Sequence, residues 1–350
     1  MNIQQLLELT VQRNASDLHI SVGFPPILRI HGDLIPVPGE VPSTQEQVES
    51  LIFPLLSEIQ KNIYNQNYEV DFSFDYEGKA RFRANIYRQK GHSAASLRLI
   101  PFAIPPLKSL GLPEVVTKLT EIKQGFVLVT GPTGHGKSTV LASFIDKINQ
   151  ERAVHVVTVE DPIEYVYPKG KSLIEQREMY KDTRSWNNAL RAVLREDPDV
   201  VLVGEMRDFE TISSAMTIAE TGHLVFATLH TNSAAQSIDR IIDVFPEEQQ
   251  PQIRLQLAST LEAILSLRLI PTIQPGRILA SEILFATPAV RNVIREKKTY
   301  LLDNMIETSA GFGMQLLEKS LAELIKTGQI SQEVALKYTL RPELLNKLVE

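Results

Sequence analysis

Cysteine is absent from this chain, which excludes disulfides and cysteine-ligated zinc and is compatible with a reducing cytosol. Tryptophan occurs once, and no stretch interleaves basic with aromatic residues, so a stacking surface for a nucleic-acid strand is missing. There is no basic excess either. The net charge is −6, and nothing global draws the chain to nucleic acid or to an anionic membrane. No apolar run approaches the roughly 18 residues needed to cross a bilayer. The start, Met1-Asn2-Ile3-Gln4-Gln5-Leu6-Leu7-Glu8-Leu9, lacks the basic opening and apolar core of a signal peptide. These absences predict no direct membrane insertion, with any membrane role coming through a protein partner.

What is present is an ordinary globular composition in a chain of 350 residues, long for one core, so two domains are expected. Ile3, Leu6, Leu7, Thr10 and Val11 recur at helical spacing and predict an amphipathic first helix. A strand follows over Ala15-Ser16-Asp17-Leu18-His19-Ile20, then a hairpin from Ile27 to Leu34 with Gly32-Asp33 at its turn. Ser43-Thr44-Gln45-Glu46 caps a helix running to about Leu56. Alternation over residues 71–75 and 80–87, with a strand at 95–100, makes residues 1–100 a small α+β module with an antiparallel sheet. Pro101, Pro105 and Pro106 restrict the backbone, so residues 101–106 read as a stiff, extended linker.

From residue 107 strands alternate with helices. Residues 126–130, 154–159, 200–203, 224–228 and 278–284 are near-continuous apolar runs, suited to a parallel sheet covered on both faces. Beyond Thr287-Pro288 the chain reads as helical to its end. The expected division is an α/β core at 107–286 and a helical C-terminal subdomain at 287–350.

The run at 126–130 leads into Gly131-Pro132-Thr133-Gly134-His135-Gly136-Lys137-Ser138-Thr139 and then into a helix-compatible stretch. This is the phosphate-binding loop, G-x-x-x-x-G-K-[ST], in its strand–loop–helix setting. Its glycines allow the backbone N–H groups to converge on an anion at the positive end of the following helix. Lys137 is spaced to reach the β- and γ-phosphates of ATP, and Ser138 to hold Mg²⁺.

Three further clusters fall at the carboxyl ends of expected strands, the edge of an open parallel sheet where ligands bind. Residues 200–208 form a Walker B element, an apolar strand ending in an acid, with Glu205 best placed to organise Mg²⁺. Residues 158–164 offer Glu160, Asp161 and Glu164; on its own this is a plain acidic loop. Beside a phosphate loop, Glu164 becomes a candidate to orient the attacking water, with Asp161 nearer the metal. His230 ends the third strand, where a γ-phosphate sensor would sit, while His223 reads equally as a structural residue. Arg81, Arg83 and Arg98 lie on the strands of the first module, and Arg195 and Arg207 flank the Walker B strand. Each alone reads as a surface residue or ion pair; as a set they are candidates for arginine fingers.

Together, residues 15–19, the phosphate loop, residues 160–164, Gly204 to Asp208 and the two-histidine strand resemble the secretion-type ATPases of type IV pili and type II secretion. The likeness spans nearly the whole chain. Within the family it leans to the retraction motors rather than the assembly motors. Only one domain precedes the core, the four-cysteine zinc motif is missing, and Ala289-Val290-Arg291-Asn292-Val293-Ile294-Arg295-Glu296 is close to the AIRNLIRE stretch of retraction motors. The resemblance implies a PAS-like N-terminal domain, a RecA-like ATPase domain with a helical C-terminus, and a homohexamer hydrolysing ATP with Mg²⁺ at subunit junctions. It gives Lys137, Ser138 and Thr139 to phosphate and metal, Glu164 to the base, Glu205 to the Walker B acid and His230 to the sensor. First-domain arginines would reach the nucleotide, and Arg291, Asn292 and Arg295 would carry retraction. The implied partners are an inner-membrane pilus platform protein and, in some systems, a second retraction ATPase. A retraction accessory paralogue shares every motif, and an assembly motor is the remoter alternative. His135 departs from the serine common in the loop, at a position whose side chain can point away from phosphate.

Overall fold

The computed structural model describes residues 1–30, 32–100 and 103–350; His31 of the expected hairpin and Pro101 of the expected linker lie outside them. The chain forms two compact units, Met1–Ala103 with Pro162–Val166, and Ile104–Asp161 with Tyr167–Glu350.

The first unit begins with α1 (Ile3–Gln12), whose Asn2 side chain accepts from the Gln5 N–H while the Gln5 side chain answers the Asn2 N–H. Then come β1 (Asp17–Ser21), β2 (Ile27–Ile30), β3 (Asp33–Pro36), α2 (Gln45–Ile52), α3 (Glu58–Asn67), β4 (Glu69–Tyr76), β5 (Ala80–Gln89) and β6 (His92–Ile100). The strands make one antiparallel sheet in the order β3-β2-β1-β6-β5-β4. Alternation sends Leu18, Ile20, Phe82, Ala84, Ile86 and Leu97 to the face packed with the helices. The other face is polar. Register aligns Arg83, Arg98, Asp17 and Arg29 in a row across four strands. Asp17 accepts from Arg98 Nε at 2.9 Å and faces Arg29 Nε at 3.8 Å.

Local expectations fail here for local reasons. The helix at 45 stops at Ile52, two residues before Pro54, and passes into the 3₁₀ turn Phe53–Leu55. Asp33 pairs with Ile30, so it opens β3 rather than forming the turn. The α3 helix escaped notice because Tyr64 is its sole buried residue, leaving no apolar stripe to read.

The second unit runs β7 (Gly125–Thr130), α4 (Lys137–Glu151), β8 (His155–Glu160), β9 (Leu173–Glu178), α5 (Trp186–Val193), β10 (Val200–Val203), α6 (Phe209–Glu220), β11 (Leu224–Leu229), α7 (Ala234–Asp243), α8 (Gln250–Thr260), β12 (Leu261–Pro271) and β13 (Arg277–Phe285). Five helices follow: α9 (Pro288–Arg295), α10 (Leu302–Thr308), α11 (Leu317–Lys326), α12 (Gln332–Tyr338) and α13 (Pro342–Val349). The sheet order is β13-β12-β7-β11-β10-β8-β9. Its strands are apolar throughout because both faces are covered. Val127, Val129, Val200, Leu202 and Phe226 pack with α4, while Phe126, Leu128, Val201, Val203 and Val225 pack with α5 to α8.

Two corrections apply to the expected sheet. The run at 278–284 is an antiparallel strand, β13, paired along its length with β12. That partner, an eleven-residue strand parallel to β7, was not read at all. It follows α8 without a glycine or proline break, and its leucines and alanine are strong helix formers. A third small collective core, with Leu317, Leu321 and Leu345, joins the C-terminal helices to β12 and β13.

Candidate nucleotide site

Between β7 and α4 the loop turns on three glycines with positive φ, Gly131 at 140°, Gly134 at 79° and Gly136 at 85°. At Gly131 the need is steric as well, since a Cβ there would stand 2.5 Å from the Leu267 carbonyl oxygen on β12. Gly136 is the N-cap of α4 and supplies no side-chain acceptor, so the first-turn N–H groups face the loop uncapped. This donor set fits a phosphate. Lys137 is 8% exposed, and its Nζ donates to the carbonyls of Gly131 (2.7 Å) and Pro132 (3.0 Å).

His135 does not enter that donor set. Its Nδ1 accepts from the Leu269 N–H at 3.0 Å, and its ring lies 6.2 Å from that of Tyr338 on α12. Burial, then the charges of Arg268, Lys137 and Arg277, lower its pKa, which keeps the imidazole neutral and able to accept.

The turn after β10 is pinned on both sides. Gly204 donates to the Val159 carbonyl (2.8 Å) and accepts from the Thr228 hydroxyl (2.6 Å), and the Met206 N–H reaches the Thr228 carbonyl (3.1 Å). Glu205 is thereby fixed beside β11. Its carboxylate receives both arms of Arg207, at 2.6 and 2.8 Å, and His230 Nε2 at 2.9 Å. On the far side His230 Nδ1 lies 3.4 Å from both Lys137 Nζ and Thr133 Oγ1. Nε2 donates to Glu205, and the role of Nδ1 toward Lys137 and Thr133 depends on the tautomer. Burial pushes the Glu205 carboxyl up, but Arg207 and His230 outweigh it and hold it below the usual range. The bond and charge of Glu205 raise Arg207, and Asp161 adds to this, which puts Asp161 beside the same cluster.

Thus Thr133, Lys137, Glu205, Arg207 and His230 converge, with Ser138 and Thr139 in the first turn of α4. Arg195, Glu160 and His223 do not join them. Arg195 is exposed beyond α5. Glu160 is taken within the sheet by Thr158 and Gln176, and His223 bonds the Ile218 carbonyl at 2.9 Å. Glu164 lies in Pro162–Val166, which belongs to the first unit.

The structure places the arginines one by one. Arg207 is bound to Glu205 of its own chain. Arg98 is paired with Asp17, and Arg81 is buried on Ser73, Asp75 and the Ile163 carbonyl. Arg83 is half-buried and makes no ion pair among the described residues. In the helix α9, Arg291 is likewise no free surface group. It donates to the carbonyls of Ala258 and Ser259 at the end of α8 and to that of Ala286, and pairs with Glu262 at 2.7 Å. Asn292 and Arg295 are exposed.

Sequence reading also missed the residues behind His230. Arg268 donates to Asn232, and Glu282 Oε1 accepts from the Ala234 N–H at the start of α7. Arg341 gathers Glu282, Glu318 and Asp303 around it. A signal existed, since Arg268 and Glu282 are charges set among apolar residues in the interior of their strands.

The type II/IV secretion system protein family matches residues 106–277. The type IV pilus retraction ATPase PilT of Pseudomonas aeruginosa is 45% identical over 345 residues, 98% of this chain and 99% of the relative. The twitching motility protein of Neisseria gonorrhoeae is 46% identical over 312 residues, 89% of this chain and 83% of the relative. The crystal structure of the pilus retraction motor PilT with bound ADP matches at a TM-score of 0.91 with 44% identity, covering 99% of both chains. The chain belongs to the family of type II/IV secretion ATPases that includes PilT.

Proposed function

We propose that this chain is an ATP-hydrolysing motor that powers type IV pilus retraction and twitching motility as a ring of six copies. The observation that carries the reading is the bridge from the phosphate-loop lysine through His230 to Glu205. Its near-full-length likeness to PilT supports the same reading.

The backbone of Gly131 to Gly136 cradles the triphosphate, and Lys137 leaves the Gly131 and Pro132 carbonyls to reach the β- and γ-phosphates. His230 then reports on the γ-phosphate to Glu205. Ser138, with Glu205 and Asp161 nearby, would hold Mg²⁺, which would supply charge neutralisation at the phosphates. Glu164 takes the proton of the attacking water. Arg83 and Arg98, on the polar face of the first unit, reach a neighbouring copy's nucleotide. Residues 1–100 move against the core at 107–286 about the linker 101–106, and the C-terminal helices at 287–350 pass the motion on. The partner that receives it is an inner-membrane pilus platform protein, with the ring on its cytoplasmic side.

Deletion of the gene followed by pilus imaging tests this. Retraction failure leaves cells hyperpiliated and non-twitching, and a Lys137→Ala copy fails to restore movement. Bald cells would instead mark an assembly motor.

A further inference from the structure

Arg81 is an interior residue of the first unit, 6% exposed, on β5. Its planar fork reaches at least three acceptors. Nη1 donates to Asp75 Oδ1 at 3.0 Å and Nη2 to Ser73 Oγ, both on β4. Nε donates at 3.1 Å to the carbonyl of Ile163, which belongs to neither strand.

Ile163 lies in Pro162–Val166, the short piece that follows β8 and Asp161 in sequence yet packs with the first unit. The piece has no helix or strand of its own, so side-chain and carbonyl contacts decide where it stands. Ile163 and Tyr165 are each 8% exposed, and Glu164 between them is half-buried. The carbonyl one residue before Glu164 is therefore fastened to an arginine anchored on the sheet.

We propose that Arg81 is a positioning residue that sets the Glu164 carboxylate by holding the Ile163 carbonyl. The base is then carried on a segment that belongs to the first unit. This rests on Glu164 being the base. Catalytic groups displaced by about 1 Å lose on the order of 100-fold in rate. Lysine cannot substitute, because a single ammonium lacks the rigid fork that spans three acceptors.

The test uses the full chain with Mg-ATP, measuring kcat, KM, nucleotide affinity and thermal unfolding for Arg81→Lys, Glu164→Gln and the double variant. Arg81→Lys is expected to lower kcat by roughly 10- to 100-fold, with KM and nucleotide affinity within about twofold, as for an interaction made only in the transition state. Glu164→Gln falls further, and the double variant is no slower than Glu164→Gln, because one residue acts through the other. Wild-type kcat in Arg81→Lys beside an inactive Glu164→Gln overturns the positioning role and leaves the base intact. Wild-type kcat in Glu164→Gln overturns the base and the proposal with it. Multiplicative losses in the double variant overturn it in favour of Arg81 acting on the nucleotide directly. Should Arg81→Lys melt more than about 5 °C low, Ser73→Ala combined with Asp75→Ala keeps the arginine but frees its far end. A several-fold kcat loss there supports the role, and unchanged kcat overturns it.

Discussion

His230 joins Lys137 to Glu205, with Nδ1 3.4 Å from the lysine Nζ and Nε2 2.9 Å from Oε1 of the acid. The imidazole thus touches both the loop lysine and Glu205. Replacing it with alanine leaves Glu205 held by Arg207 alone. His230→Ala is expected to bind nucleotide within a few-fold of wild type while kcat falls roughly 10- to 100-fold, since it removes a group that orients others at the reacting phosphate. Nucleotide titration beside steady-state turnover checks this; equal losses in both would place His230 in binding instead.

Gly131→Ala addresses the loop. At φ 140° any side chain is strained, and this one would meet the Leu267 carbonyl oxygen at 2.5 Å. The variant is expected to lose about 1–3 kcal/mol of stability and its nucleotide binding together, measured by thermal unfolding and titration. Gly134, with open space around it, lacks the second penalty.

Glu282 predicts a pH dependence. Burial first, with Asp303 and Glu318 adding and Ala234 and Arg341 opposing, raises its pKa to about 7. The folded chain holds this proton more tightly than the unfolded chain. Its contribution to stability is full below the ordinary value of 4.5 and is lost as pH rises through about 7. Glu282→Gln keeps an acceptor for the Ala234 N–H without the charge. Relative to this variant, wild type is expected to lose stability between pH 5.5 and 8 on the order of 1–3 kcal/mol, read by denaturant unfolding at each pH.

Arg291 and its neighbours separate cleanly. Arg291→Ala strands three carbonyls and the Glu262 carboxylate, and is expected to cost about 2–3 kcal/mol. Asn292→Ala and Arg295→Ala are exposed changes expected within about 0.5 kcal/mol of wild type. If these two carry retraction, they abolish twitching with ATP turnover intact. Thermal unfolding and motility assays on the three variants check both halves.

The phosphate loop was legible because its chemistry is local: glycines, lysine and serine at fixed spacing between an apolar strand and a helix. Strands such as Val200–Val203 were legible because burial on both faces makes them apolar throughout. The β12 strand was not, because Leu261–Pro271 carries helix-forming residues and only its neighbours β7 and β13 make it a strand. The partners of the arginines were not legible, since Arg81 meets Ile163 across 82 residues of sequence. The same distance hid the membership of Glu164 in the first unit. The bond of His135 to Leu269 was hidden because it depends on a strand that went unread.

Phosphate release from the purified full chain with Mg-ATP, run beside Lys137→Ala, tests the central claim most directly. The account predicts steady turnover by wild type and none by the variant at any ATP concentration. No release from wild type, or equal release from both proteins, would contradict it.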